Sequence, residues 1–439
     1  MTALRHRLAV LLTVALATSG VAACAGISGE SESVTVMASW DPEQREGAAF
    51  RATLARFTRE TGIEVRYQGV RTITPILRLA DLGDALPDVA VLSSPAELAR
   101  YARAGRLVPL SPDEAIQDHQ LLRHDGDRRQ PYGVVLKTDL KSLVWYDAAA
   151  GAGPPRTWAD LVRRGADLRT GGRTPPWCLG MKSGAESGWP GTDWVEDILL
   201  HQSGVEAYRR WANGTLAWTS PEVRSAWEAW RELLSTAGMT DGANVERMLL
   251  TGWDQAGAGL AGGGSGCAME HQASFARALH DGYTTFFPFP RFAPGPGGDS
   301  TGVEVSVDVA GLFSGKPAAQ RLVTYLASRA GQAEWTAHAG GSFFSPRTDL
   351  DRAAAYTSDA VGGQIAEQLA TTAGNRCLDA SDFMPQTVAS AFSTAVLEFL
   401  SDPAPERLVP ILQRLDAIRQ AVPPAEWLPD PCPPVTTNR

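Results

Sequence analysis

The sequence predicts an α/β fold with a largely parallel sheet. Three segments of strand character, Val34–Trp40, Ile63–Tyr67 and Asp88–Leu92, alternate with helical segments. The helical segments carry apolar residues at helical spacing, as Phe50, Leu54 and Phe57 do at i, i+4 and i+7. In order, Val34–Trp40 alternates like a half-buried strand, and the first helix stops at Gly62, a C′ position. Ile63–Tyr67 alternates again, and a polar, helix-compatible stretch through Leu77–Leu82 leads to Pro87 and the third strand. Ser94, Pro95 and Glu97 read as N-cap, N1 and capping-box N3 of a helix that turns Leu98, Tyr101 and Ala102 inward and ends at Gly105.

A second region begins near Tyr132. Gly133–Tyr146 is one long β-prone stretch, enough to run from one domain into another. Thr157 and Trp158 open a helix, and 158–285 is mostly helical, with Val223, Trp227, Trp230 and Leu234 on one face behind a Ser220-Pro221 cap. A glycine run at 257–266 is followed by strands at Cys267–Met269, Thr284–Phe289 and Gly302–Ala310, the last two parted by a Pro/Gly loop. A helix over Pro317–Ala330, a break at Gly340-Gly341 and a mostly helical remainder complete the chain, with no fixed-period repeat.

A chain of 439 residues, 44% of them hydrophobic, is long enough for two or three domains with proper cores. Its formal charge of −9, without a Lys/Arg-rich stripe, makes nucleic acid a poor partner. Arg5 and Arg7 precede an apolar run, Leu8–Ala17, followed by small residues, which predicts a signal peptide over 1–23. Val21-Ala22-Ala23-Cys24 resembles the bacterial lipobox, so Cys24 is expected to become the lipidated first residue, with 24–33 a polar tether. The body is then expected at the outer face of the membrane, held by the lipid alone.

That compartment leaves Cys178, Cys267, Cys377 and Cys432, an even number where disulfides form. Four cysteines allow three pairings, and spacing does not choose among them. No CxxC or HxxxH spacing offers a metal site, and the seven histidines are scattered, so no metal and no cofactor is expected.

The order of motifs is more specific than any one of them. The lipobox, VTVMASW at 34–40, LPDVAVLSS at 86–94 and GRLVPL at 105–110 resemble family 1 extracellular solute-binding proteins, the sugar-capturing subunits of ABC importers. The likeness continues through PYGVVLKTDLKSLVWY at 131–146, GCAMEHQASF at 266–275 and GGSFFSPR at 340–347. WCLGMKSGAESGWPGTDW at 177–194 is similar to the α-glucoside-binding branch, where a cysteine here accompanies one in the GCAM segment. The resemblance thus implies Cys178–Cys267, and by remainder Cys377–Cys432. It also implies a two-lobed periplasmic-binding-protein fold with hinge strands around a central ligand cleft. Lobe 1 would comprise 34–137 and 300–345, lobe 2 138–299 and 346–430, and 431–439 a tail.

A sugar needs planar hydrogen-bond partners for its hydroxyls and aromatic faces for its C–H surface. Trp40, Asp41 and Glu43 stand where the first strand ends, although Trp40 also suits a core and the acids a helix cap. Ser93 and Ser94 match a cleft-facing family position, with Ser94 doubling as N-cap. Lys137 is a charge amid β-strand apolars, with Asp139 beside it, and needs either a ligand hydroxyl or a hinge carboxylate. The Gly/Pro turn at 187–191 presents Trp189 as the family's second-lobe aromatic, with Asp193 and Trp194 after it. His271, Gln272 and Phe275 follow the Cys267–Met269 strand, Phe275 at a family stacking position and His271 equally suited to a structural role. Phe343 and Phe344 are expected to pack.

The resemblance implies a monomeric binder that delivers a carbohydrate, oligosaccharide or amino-sugar-like, to ABC permease subunits and through them to an ATPase. Two other readings stay open. A hydrolase would need paired carboxylates such as Glu43 and Glu270 across a scissile bond, while no GxSxG elbow and no P-loop is present. A surface lipoprotein serving host contact or adhesion would leave the cleft idle.

Overall fold

A computed structural model describes residues 32–110, 131–150, 153–261, 266–292 and 302–432. The leader, Cys24, most of the tether, most of the Pro/Gly loop and residues 433–439 lie outside them. Nine strands are described: β1 (Ser33–Ala38), β2 (Glu64–Gly69), β3 (Val89–Leu92), β4 (Gly133–Leu140), β5 (Leu143–Tyr146), β6 (Met269–His271), β7 (Phe286–Pro288), β8 (Val303–Leu312) and β9 (Arg376–Leu378). The first sheet runs β2-β1-β3-β8-β4, with β9 also beside β8, and the second runs β6-β5-β7.

The first three strands are parallel, joined through the helices Arg45–Thr61 and Ile73–Leu82. The largely parallel sheet expected is interrupted by β8, which enters antiparallel between β3 and β4. The reason is connectivity: the chain leaves the sheet on β4, builds the second lobe, and returns on β8 from the opposite end.

The single β stretch expected over Gly133–Tyr146 is two strands in two different sheets. Lys141 and Ser142 form the joint, where both backbone N–H groups donate to the Glu304 carbonyl at the start of β8. The helix expected over Pro317–Ala330 also divides, into Pro317–Ala327 and Arg329–His338, because Ser328 turns extended and its hydroxyl caps the second helix at Gly331 N, 3.1 Å. The capping box at Ser94 is half made. Ser94 accepts from Glu97 N, but the Glu97 carboxylate turns to Arg78 and Arg100, at 2.6 and 3.0 Å.

One core packs Phe50 and Phe57 of the first helix against Leu322 and Trp335 of the two helices that follow β8. A second core extends from the other face of the sheet into the second lobe. There Trp227 and Trp230 are fully buried against Phe399, with centroids 5.0 and 5.5 Å away, as their helical spacing requires. Both implied disulfides are formed, with Cα–Cα distances of 5.2 Å for Cys178–Cys267 and 4.1 Å for Cys377–Cys432. Cys377–Cys432 clamps the end of the described chain along β9, where Leu378 N donates to Pro431 O at 2.7 Å.

Candidate functional site

A cavity of about 310 Å³ opens between the two lobes. Strand ends and the crossing strand build its first side. β1 leads into Ser39 and Trp40, β3 leads into Ser93 and Ser94, and β8 presents Asp308. Lys137 and Asp139 reach the cavity from one face of β4, as i and i+2 positions do, and Lys141 reaches it from the joint just past the strand. The second side comes from Trp189 and Asp193 at the start of the helix Trp189–Ala212, from Trp253 and Phe275, and from Asp379 to Asp382 after β9.

Local backbone chemistry places these groups. Gly188 sits at φ 104°, and a Cβ there would lie 2.2 Å from the Ser393 carbonyl, so glycine alone lets the chain turn and project Trp189. Trp189, Trp253 and Phe275 form a cluster with ring centroids 5.3, 6.2 and 5.9 Å apart. The Lys141 ammonium lies 5.9 Å from the Trp189 ring and the Lys137 ammonium 5.8 Å from Phe275. The result is an apolar wall above a charged floor.

Two buried lysines organise that floor. Lys137 Nζ is 2.6 Å from Asp139, in contact with Glu46, and 4.0 Å from Asp308, its partner in the β4–β8 register. Lys141 Nζ is 2.8 Å from Asp193, in contact with Asp379, and 3.7 Å from Glu304. Burial alone would lower the Lys141 pKa, but Asp193 and Asp379 outweigh it and hold the ammonium well above its ordinary range. The carboxylates outnumber the cations, so burial pushes Asp308 up to about 7 and Asp193 up to about 6, with each lysine opposing the rise.

Seven of the residues expected at the site line this cavity: Trp40, Ser93, Ser94, Lys137, Trp189, Asp193 and Phe275. Trp40 does so only at an edge, being 5% exposed and packed edge-on against Phe50 and Trp335. Ser94 both caps its helix and donates across the cleft to the Asp382 carbonyl at 2.8 Å.

The other five stand elsewhere. Asp41 accepts from Glu43 N in a tight turn, and Glu43 faces Arg51 at the surface. Trp194 is fully buried against Trp177 and His271, because its helical position points into the core. His271 Nε2 lies 2.8 Å from Asp197, and Gln272 is spent on its neighbours, its side chain accepting from Ala273 N and its carbonyl from Trp145 Nε1. Glu270 is buried against the Tyr283 hydroxyl at 2.7 Å, so Glu43 and Glu270 form no carboxylate pair across the cavity.

Sequence reasoning missed Glu46, Arg71, Lys141, Trp253, Asp308 and Asp379. Two signals could have found some of them. Ionisable residues within or next to a strand buried on both faces need partners, which marks Lys137 and, just past the strand, Lys141, and Asp308 amid Val305, Val307 and Val309 carries the same mark. Gly252-Trp253 repeats the Gly188-Trp189 pattern that marked the first aromatic.

Among the described residues, no helix is long and apolar enough to cross a membrane. Residues 41–333 match the model of the bacterial extracellular solute-binding protein family. The chain is 31% identical over 398 residues to the osmoprotective compounds-binding protein GgtB of Synechocystis sp., covering 85% of this chain and 90% of that one. It is 26% identical to the alpha-glucosides-binding periplasmic protein AglE of Rhizobium meliloti, covering 84% of each. Its fold superposes on the solute receptor AcbH, described as preferring β-D-galactopyranose, with a TM-score of 0.75 at 16% identity over 89% of this chain and 99% of that one. A chitin oligosaccharide binding protein gives a TM-score of 0.68 at 20% identity, again over 89% of this chain and 100% of the other. The match across two thirds of the chain, a two-lobed fold and a cavity between the lobes make this chain a member of the bacterial extracellular solute-binding protein family.

Proposed function

We propose that this protein captures a carbohydrate in the interlobe cavity and delivers it to the permease of an ABC importer, and through it to an ATPase, without chemical turnover. One observation carries the reading: three aromatic rings, Trp189, Trp253 and Phe275, face a floor of hydrogen-bonding carboxylates and ammoniums. Stacking on a sugar's C–H face and bonding to its hydroxyls need that combination. AglE, named for α-glucosides, supports the class, and GgtB, named for osmoprotective compounds, supports the capture of a small solute. We assign the lobes as 34–137 with 300–345 and 138–299 with 346–430, acting as a monomer held at the outer membrane face by a lipid on Cys24.

Calorimetric titration with mono- to tetrasaccharides, monitored in parallel by tryptophan fluorescence, tests the ligand class. Saturable binding with the sugar recovered intact is the expected result. Binding of peptides or metals with none of sugars sinks the proposal, and sugar cleavage would favour the hydrolase. Labelling with a fatty-acid analogue tests the anchor: label on the native chain and none on Cys24→Ala is expected, whereas label on the variant removes the lipid from Cys24.

A further inference from the structure

Seven carboxylates and three cationic side chains line the cavity. The surplus is local as well as total. Around Lys137, three carboxylates share one ammonium. Around Lys141, Asp193 and Asp379 already occupy the ammonium, and Asp382 lies beyond it in the lining. The third cation, Arg71, lies over the face of Trp253 and acts on Glu46 and Glu186, not on Asp308.

Asp308 is the group for which this arithmetic matters most. It is 8% exposed, lines the cavity, and has one ion pair and no shorter polar contact among the described residues. Its nearest cation, Lys137, is 4.0 Å away and more closely held by Asp139 and Glu46. A buried carboxylate whose one counter-charge is distant and shared with two closer carboxylates is left poorly compensated, which is costly. A neutral sugar hydroxyl would supply the donor and leave the charge. An ammonium supplies both.

Resting on the carbohydrate reading, we infer that the ligand is cationic, an amine-bearing sugar or related polyol, and that Asp308 receives its ammonium. The aromatic wall agrees, because ring faces attract cations as well as C–H surfaces. In the empty cavity a proton does the same work, since burial pushes the Asp308 carboxyl up to about 7. The groups around it are Lys137 and Asp139 from β4, Glu46 from the first helix and Tyr67 from β2. An arriving ammonium displaces that proton, so affinity for the amine falls as pH drops through the Asp308 range.

The test is calorimetry on the purified full-length chain with one carbon skeleton in three forms. Glucose, N-acetylglucosamine and glucosamine form one set, the galactose counterparts a second, and the corresponding disaccharides the rest. The amine form should bind about tenfold or more tighter than the other two, an advantage of over one decade in Kd. Added salt should shrink the advantage by screening, and Asp308→Asn should reduce it to about twofold or less. Asp349→Asn, on a surface residue paired with Arg347, should leave it intact. Hydroxyl or N-acetyl forms binding as tightly as the amine overturn the inference while the carbohydrate reading stands. No form binding, with none of the mono- to tetrasaccharides binding either, sinks both. Should Asp308→Asn fail to fold, the salt series on the native chain decides.

Discussion

Arg71 lies over the face of Trp253, its guanidinium carbon 3.8 Å from the ring centroid, and the two residues come from opposite sides of the cavity. Two further contacts span the same gap: Ser94 to the Asp382 carbonyl at 2.8 Å and Arg45 to Asp281 at 2.5 Å. The lobes therefore touch directly, through a cation on an aromatic ring, a hydrogen bond and a surface ion pair. Of the three, the first shields an aromatic of the site itself.

Arg71→Ala should loosen that closure. A contact of this kind contributes about 0.5–1 kcal/mol, or roughly a two- to fivefold loss of affinity. Acrylamide quenching of tryptophan emission should rise in the unliganded variant as Trp253 is uncovered. Unchanged quenching and affinity would mean that the stacking is incidental.

Trp189 and Trp227 should separate binding from stability. Trp189 is half-buried at the cavity wall, and Trp227 is fully buried at Phe392 and Phe399. Trp189→Ala should weaken sugar binding by about 2–4 kcal/mol, the range of aromatic anchors in interfaces, with little change in Tm. Trp227→Ala should open a cavity worth roughly 3–5 kcal/mol of stability and leave affinity intact in the folded fraction. A reversed pattern would move the site off Trp189.

Lys141→Met removes the ammonium that Asp193 and Asp379 share in the interior. Losing one partner of a buried ionic cluster costs roughly 3–5 kcal/mol. Without that cation the carboxyls bind protons more tightly folded than unfolded, so the variant's deficit should grow as pH rises and recover as pH falls. Melts at acid and at mildly basic pH would show this. An equal deficit at both ends would show that the lysine acts by packing alone.

Glu270 makes an independent pH prediction. Burial pushes its carboxyl up from 4.5 to about 8, with the Tyr283 hydroxyl opposing the rise. The folded protein then keeps a proton that the unfolded chain has released, so this group lowers stability as pH climbs from 4.5 towards 8. Glu270→Gln, which mimics the neutral carboxyl, should flatten that part of the profile and raise Tm at its basic end. A variant with the native slope would place the titration elsewhere.

Elements with a strong local signal were legible in the sequence. Gly62 ends the first helix at φ 74°, Ser94 and Ser220 cap theirs, and the Trp227–Trp230 face is buried as its spacing requires. The joint at Lys141-Ser142 was not, because nothing in an unbroken β-prone run marks where a strand changes sheets. The site divides the same way. Trp189 announces itself by a Gly/Pro turn, whereas Asp308 matters because β8 comes back from the other lobe and sets it opposite Lys137. Trp194 and His271 carry sugar-binding chemistry in the wrong place. Their rings pack on one another and on Phe289 behind the wall, with His271 Nε2 against Asp197.

The crossing strand also works as a ruler. Lys137 lies within β4 and Lys141 is the residue just past its end, four positions on, a reach of about 13 Å at most at the usual strand rise. Each gathers its own set of carboxylates, so the separation of the two charged ends of the cavity is set by the chain's covalent geometry. A longer ligand cannot be accommodated by sliding one end alone. Nor does an insertion within β4 lengthen the ruler simply: one residue added between Lys137 and the end of the strand would shift the alternation of every β4 side chain on one side of it.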